Sequence, residues 1–158
     1  MIRDATPEDA EALARLHVAA WAETYPGLMP EAEIARCDLA YRLDQWPRLL
    51  ASDRTRVAIA PGFGFAMMGP QRSDQFAATQ PEELYALYLL RAAQGRGLGR
   101  DLFRAVAGAK PFTALVIAGN DRACGFYEAR GGRHLGTFAF EAAGERLEEY
   151  AYGFAPFA

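Results

Sequence analysis

Apolar positions along the chain change period several times, and each change marks an element. Leu13, Leu16, Ala20 and Trp21 recur at helical spacing and give one apolar stripe from Pro7 to about Thr24. The preceding Thr6-Pro7-Glu8-Asp9 reads as a helix start: a threonine cap, proline at the first helical position, and acids where the helix dipole favours them. Ile2 to Ala5 is a short strand at most. Pro26-Gly27 breaks the first helix and Pro30 permits a second start. Ile34, Leu39, Leu43, Trp46 and Leu49 fit one or two helices out to Leu50, with Pro47 expected to interrupt them.

From Arg56 the period shortens. Arg56 to Ala60 reads as a strand, Pro61-Gly62 as a turn, and Phe63 to Met68 as a second strand. Gly69 to Pro81 is a polar loop, and Leu84 to Leu90 is apolar on both faces, as in a strand covered on two sides. A glycine-rich turn leads into a helix with Leu98, Leu102 and Val106 at i, i+4 and i+8, ended by Pro111. Phe112 to Ala118 is another buried strand, and Asn120 to Arg130 a short helix closed by Gly131-Gly132. Leu135 to Phe140 and Leu147 to Phe154 form a hairpin across Ala142-Ala143-Gly144. The order β-α-α-β-β-β-α-β-α-β-β predicts an α/β fold on a mixed sheet. With no repeat, linker or low-complexity segment, a single domain over residues 1–158 is expected.

Composition narrows the function classes. With 51% apolar and 12% aromatic residues there is material for a core, which excludes intrinsic disorder. Seventeen Lys and Arg against twenty Asp and Glu leave a net charge of −3, so no nucleic-acid partner is expected. Two cysteines, Cys37 and Cys124, and two histidines, His17 and His134, make neither a disulfide framework nor a zinc site. No metal is expected, and the thiols read as reduced and inert. The start of the chain has no apolar leader and no run reaches membrane-spanning length, so a cytoplasmic protein without a membrane partner is expected.

The most informative stretch is Gln94-Gly95-Arg96-Gly97-Leu98-Gly99, between a buried strand and an amphipathic helix. Glycines there let backbone amides approach an anion closely, and the new helix adds its N-terminal dipole. A phosphate-bearing ligand follows from that chemistry. No Gly-Lys-Ser/Thr follows, so it is not a P-loop. The glycine spacing suits a dinucleotide fingerprint poorly, and the next strand ends Ala118-Gly119-Asn120 without the expected acid.

On these residues the chain resembles the GCN5-related N-acetyltransferase (GNAT) superfamily, whose coenzyme A signature Gln/Arg-x-x-Gly-x-Gly/Ala is matched by Gln94, Gly97 and Gly99. Leu84 to Leu89 looks like that family's fourth strand, and Asn120-x-x-Ala123-x-x-Phe126-Tyr127-x-x-x-Gly131 like its second coenzyme A motif. Trp21-x-x-x-Tyr25-x-Gly27-x-x-Pro30 is similar to a subset of bacterial members. Two motifs in order make the resemblance more specific than the glycines alone.

The resemblance implies an enzyme that moves the acetyl group of acetyl-CoA to a primary amine by direct attack in a ternary complex, without metal. Backbone groups of Leu87, Tyr88 and Leu89 would pair with the pantetheine arm, and a strand amide, that of Leu89, would meet the oxyanion. Amides from Gly95 through Arg96, Gly97 and Leu98 to Gly99 would hold the pyrophosphate, with Arg96 and Arg100 beside it. Asn120 would bond the cofactor, Phe126 would pack on it, and Tyr127 would be the general acid for the departing thiolate. Glu83, eleven residues before Gln94, would be the base, with Glu82 and Glu23 as rivals and a water chain as another route. Trp21, Tyr25 and Trp46 are candidates to line an acceptor pocket, or equally core aromatics. Gly132, where the family usually has an aromatic, departs from the pattern, as does Ala93 before the glutamine. The acceptor is left open between a small-molecule amine and a protein amine. The alternative is a non-catalytic acyl-CoA-binding module, which keeps the glycine loop but needs no Tyr127. The apolar Tyr150 to Phe157 run is compatible with a homodimer.

Overall fold

The apolar runs pair into one seven-stranded sheet in the computed structural model, which describes residues 1–156. The strands are β1 (Arg3–Asp4), β2 (Arg56–Ala60), β3 (Gly64–Pro70), β4 (Glu82–Leu89), β5 (Phe112–Ile117), β6 (Arg133–Ala142) and β7 (Glu145–Phe154). Their spatial order is β1-β2-β3-β4-β5-β7-β6, and β4–β5 is the parallel pair in an otherwise antiparallel ladder. The helices are α1 (Ala10–Thr24), α2 (Glu31–Arg36), α3 (Leu39–Ala51), α4 (Leu98–Val106) and α5 (Asp121–Ala129). The mixed α/β architecture is therefore the expected one, with a third helix before β2.

Two boundaries differ from the sequence reading. Pro47 lies inside α3 rather than ending it. The carbonyl left without its partner belongs to Leu43, on an exposed turn where water can bond it. The fourth helix stops at Val106, five residues before Pro111, because Ala107 turns to extended backbone.

The sheet has a core on each face. Leu13 and Leu16 of α1 and Trp46 of α3 pack on Phe65 and Ala86. On the other face Leu102, Phe103 and Val106 of α4 and Tyr127 of α5 pack on Phe112 and Phe154, whose rings stack 4.8 Å apart across the β5–β7 register. Leu84 belongs to one core and Ala86 to the other, which is why β4 reads apolar on both faces. The register shifts where Met67 pairs with Ala86 and Met68 with Leu84, leaving Tyr85 of β4 as the bulged residue and turning Leu84 and Ala86 to opposite faces. Ala151 to Phe154 are buried between β5 and β6, so most of the apolar tail is used inside this chain; Phe157 lies outside the described residues.

His17 of α1 is buried, and its Nδ1 accepts a 3.2 Å hydrogen bond from the Trp46 indole N–H. Burial, with the Arg42 charge adding to it, pushes its pKa down to about 3, so it is neutral in the folded chain. The unfolded chain then binds a proton that the folded chain refuses between about pH 6.5 and 3. Stability is expected to fall as pH drops through that window, by up to about 1.4 kcal/mol per pH unit from this group. Urea midpoints measured between pH 7 and pH 4.5 check this; His17→Gln should flatten the slope.

Candidate functional site

β4 and β5 hold together over only three register pairs, Glu82 to Leu84 against Phe112 to Ala114. Beyond them the strands part, while β3 stays paired with β4 as far as Leu89. One edge of β4 is thereby left without a strand partner in the middle of the sheet, where an extended ligand can bond to it. Between the strands lies a cleft of about 630 Å³. Leu87, Tyr88 and Leu89 line it and are half-buried, rather than covered on both sides as their sequence suggested. Leu115, 38% exposed in an otherwise buried strand, faces the same space.

The glycine loop closes one end of the cleft. Gly95 and Gly97 both have φ of +81°, a conformation that other residues adopt at a cost of about 1–2 kcal/mol. Gly97 is the N-cap of α4, so the free amides of the first turn point toward the loop. Gln94 Nε2 donates to the Leu89 carbonyl at 3.0 Å and ties the loop to the end of β4, while Gln94 Oε1 is buried with no partner among the described residues. A Cβ on Gly99 would sit 3.2 Å from the Phe126 ring, so α4 and α5 meet there. Gln94, Gly95, Gly97, Gly99 and Arg100 line the cleft; Arg96 and Leu98 are not among its lining side chains.

Cations gather around this end although the chain is net acidic. Arg91, Arg122 and Arg130 line the cleft together with Arg100. Arg122 and Arg130 were not singled out from the sequence, yet the signal was present: Arg122, Phe126 and Arg130 recur at i, i+4 and i+8 on α5. The Arg130 guanidinium lies 4.6 Å from the centre of the Phe126 ring. Asn120 caps α5 by accepting from the Ala123 amide at 3.2 Å and also lines the cleft. These groups suit a phosphate-bearing ligand with an extended arm.

Three phenols converge in the same cleft. Tyr127 of α5 and Tyr88 of β4 line the cleft with Tyr25, which follows α1. The Tyr127 hydroxyl has no hydrogen-bond partner among the described residues, and burial, then proximity to Tyr88, raises its pKa. It is protonated at neutral pH and available as a donor. Tyr25 Oη and Tyr88 Oη are 2.9 Å apart.

The carboxylates are arranged differently from the expectation. Glu83 is 2% exposed and accepts from the Arg72 amide at 3.3 Å and from its Nε and Nη2 at 3.2 and 2.7 Å. It is not among the residues lining the cleft. Glu82 is paired with Arg56 at 2.9 Å. Glu23 does line the cleft, where it accepts from the Arg91 amide at 2.6 Å. Glu149 of β7 is half-buried and pushed up by burial and by the Glu83 charge.

Of the three acceptor-pocket candidates only Tyr25 reaches the cleft. Trp46 is 0% exposed and bonded to His17, so it is a core residue and cannot touch an acceptor. Trp21 stands behind Tyr88, donating its indole N–H to the Tyr88 oxygen at 3.2 Å. Gly132 closes α5 by donating to the Tyr127 carbonyl at 2.9 Å, and a Cβ there would lie 2.8 Å from both that carbonyl oxygen and the Phe154 ring.

Comparison with known proteins agrees with this architecture. The family described as FR47-like protein matches residues 73–140, from the loop before β4 into β6. The uncharacterized N-acetyltransferase YuaI of Bacillus subtilis is 32% identical over 96% of this chain and 91% of its own length. The crystal structure of a ribosomal-protein-alanine N-acetyltransferase from Brucella melitensis superposes with a TM-score of 0.69 at 24% identity, covering 98% of this chain and 99% of that one. A putative acetyltransferase from Salmonella typhimurium, yncA, solved with acetyl-CoA, superposes with a TM-score of 0.66 at 20% identity over 98% and 92% of the two chains. At those identities the two structures establish the shared fold.

Proposed function

This chain belongs to the GNAT N-acetyltransferase superfamily, and from that premise we propose that it moves the acetyl group of acetyl-CoA to a primary amine by direct attack in a ternary complex. The chain is an acyltransferase; donor, site residues and acceptor are the proposal, as is the action of residues 1–158 as one catalytic domain. The observation that carries it is the open edge of β4 leading into the Gly95–Gly99 loop within one cleft.

In this reading, backbone groups of Leu87, Tyr88 and Leu89 hold the pantetheine arm as an added strand would. The amides from Gly95 to Gly99 and the start of α4 bind the pyrophosphate, with Arg100, Arg122 and Arg130 as counter-charges. Phe126 packs on the donor and Asn120 bonds it. The free Leu89 amide stabilises the oxyanion. Tyr127 gives its proton to the departing thiolate. Glu83, already bonded to Arg72, serves as base through water, and that relayed route is the one we propose. The acceptor is a small-molecule or protein amine approaching past Tyr25 and Leu115.

Calorimetric titration of acetyl-CoA, with NAD and ATP as controls, tests the donor assignment. Saturable binding of acetyl-CoA alone is the expected result, followed by thiol release with a panel of amines. A folded protein that ignores acetyl-CoA would refute it. Binding without turnover on any amine would favour the non-catalytic acyl-CoA-binding module.

A further inference from the structure

Arg42 of α3 is a buried cation with no carboxylate in contact among the described residues; Glu33, which feels its charge, is bonded to Arg36 instead. Arg42 is 4% exposed; Nη1 donates to Gln45 Oε1 at 2.8 Å, while Nε and Nη2 have no hydrogen-bond partner among the described residues. No carboxylate forms a salt bridge with it among the described residues. Burying an uncompensated charge is unfavourable for folding, and burial is what pulls its pKa down. Its placement therefore asks for a reason other than stability.

The guanidinium lies 4.6 Å from the centre of the Trp21 ring. A cation against an indole face draws electron density from the ring and leaves its N–H a stronger donor. Indole can only donate, and the Trp21 N–H donates to Tyr88 Oη at 3.2 Å. Tyr88 Oη in turn is 2.9 Å from Tyr25 Oη. The two phenols hold two hydrogens, and one of them makes the bond between the pair. The other has no acceptor among the described residues. Whichever way the pair is oriented, one O–H is left, and both phenols line the cleft. The chain from Arg42 through Trp21 to the phenols is thus polarised with positive charge at its root and a donor at its tip.

Such a device matches developing negative charge and opposes an ammonium group. Resting on the acetyl-transfer reading above, we propose that the Tyr25–Tyr88 pair, backed by Trp21 and Arg42, is a side-chain hydrogen-bond donor to the oxygen of the acyl group. As the amine lone pair forms the C–N bond, the carbonyl π pair moves onto that oxygen, which takes a stronger bond from the phenol. The pair returns to re-form C=O as the C–S bond breaks and the thiolate leaves. The amine proton passes through water to Glu83, Tyr127 protonates the leaving thiolate, and the Tyr25 and Tyr88 phenols keep their protons throughout. Tyr25 and Tyr88 act on the reacting atoms; Trp21 and Arg42 are positioning residues. Tyr127, whose pKa is raised partly by Tyr88, lines the same cleft.

The test is difference infrared spectroscopy with acetyl-CoA labelled at the thioester carbonyl carbon, alongside calorimetric affinities for acetyl-CoA and for CoA, which has no such oxygen. The carbonyl stretch is expected to fall when acetyl-CoA binds the wild-type chain. Most of that fall should vanish in Tyr25→Phe/Tyr88→Phe and part of it in Trp21→Phe and in Arg42→Met, with CoA affinity unchanged in Trp21→Phe and Arg42→Met. Arg42→Met should melt at the same temperature or higher, since it removes an unpaired buried charge. If the double variant does not fold, Trp21→Phe, which keeps an aromatic face but has no N–H to donate, decides alone. Normal acetyl-CoA binding with the same carbonyl frequency in wild type and variants would overturn this inference and leave the acetyl-transfer reading intact. No acetyl-CoA binding by the wild type would overturn both.

Discussion

Tyr127→Phe is expected to slow thiol release by about 10²–10⁴-fold, the range by which a positioned proton donor accelerates a reaction, while leaving CoA affinity near wild type. The substitution removes one oxygen from a side chain whose ring is fixed by Phe103, Phe126, Tyr152 and Phe154. That hydroxyl bonds nothing else among the described residues, so no buried partner is stranded and melting should change little. The phenol is also held in its protonated form by burial, as a donor to a leaving thiolate requires. The check is thiol release with the best amine from the panel, together with CoA affinity by calorimetry. Unchanged turnover would transfer the role to solvent, and lost CoA affinity would make Tyr127 a packing residue.

Trp46→Ala carries the largest expected effect on stability, a loss of about 3–5 kcal/mol for a fully buried aromatic. The indole makes edge contacts with Phe65 and His17, at ring-centre distances of 5.0 and 5.8 Å. Its removal opens a cavity between α1, α3 and the sheet, and it leaves the His17 Nδ1 without its donor. At about 2–4 °C per kcal/mol for a chain of this size, melting should drop by roughly 6–20 °C. Thermal unfolding followed by circular dichroism measures it. A pocket residue would behave the opposite way, with melting preserved and acceptor kinetics altered.

The two faces of one helix pattern explain why Trp46 and Tyr25 could not be separated beforehand. Both are aromatics near helices with apolar stripes, and a stripe says that a residue is covered without saying by what. α3 lies across α1, so Trp46 is sealed; Tyr25 follows the end of α1, where β4 and β5 have parted, so its hydroxyl meets the cleft. Glu83 shows the same limit for charge. Its place near the start of β4 was readable, but its partner Arg72 comes from the loop after β3, and only the folded chain brings the two together.

What the sequence determined alone are the features with a local cause. Period and turn chemistry placed the strands and most helices, the paired motifs Gln94–Gly99 and Asn120–Gly131 pointed to the fold and its chemistry, and the glycine run Gly95–Gly99 marked a loop where backbone amides can approach a ligand closely. Tertiary structure decided what depends on distant segments meeting. The parting of β4 from β5 is a register that no local pattern encodes, and it turns an apolar strand into the wall of a cleft. The burial of Arg42 over Trp21 is likewise a meeting of α3 with α1, which no pattern within either helix encodes. Local propensity acts through neighbours in the chain, whereas burial, charge pairing and cleft walls are set by neighbours in space.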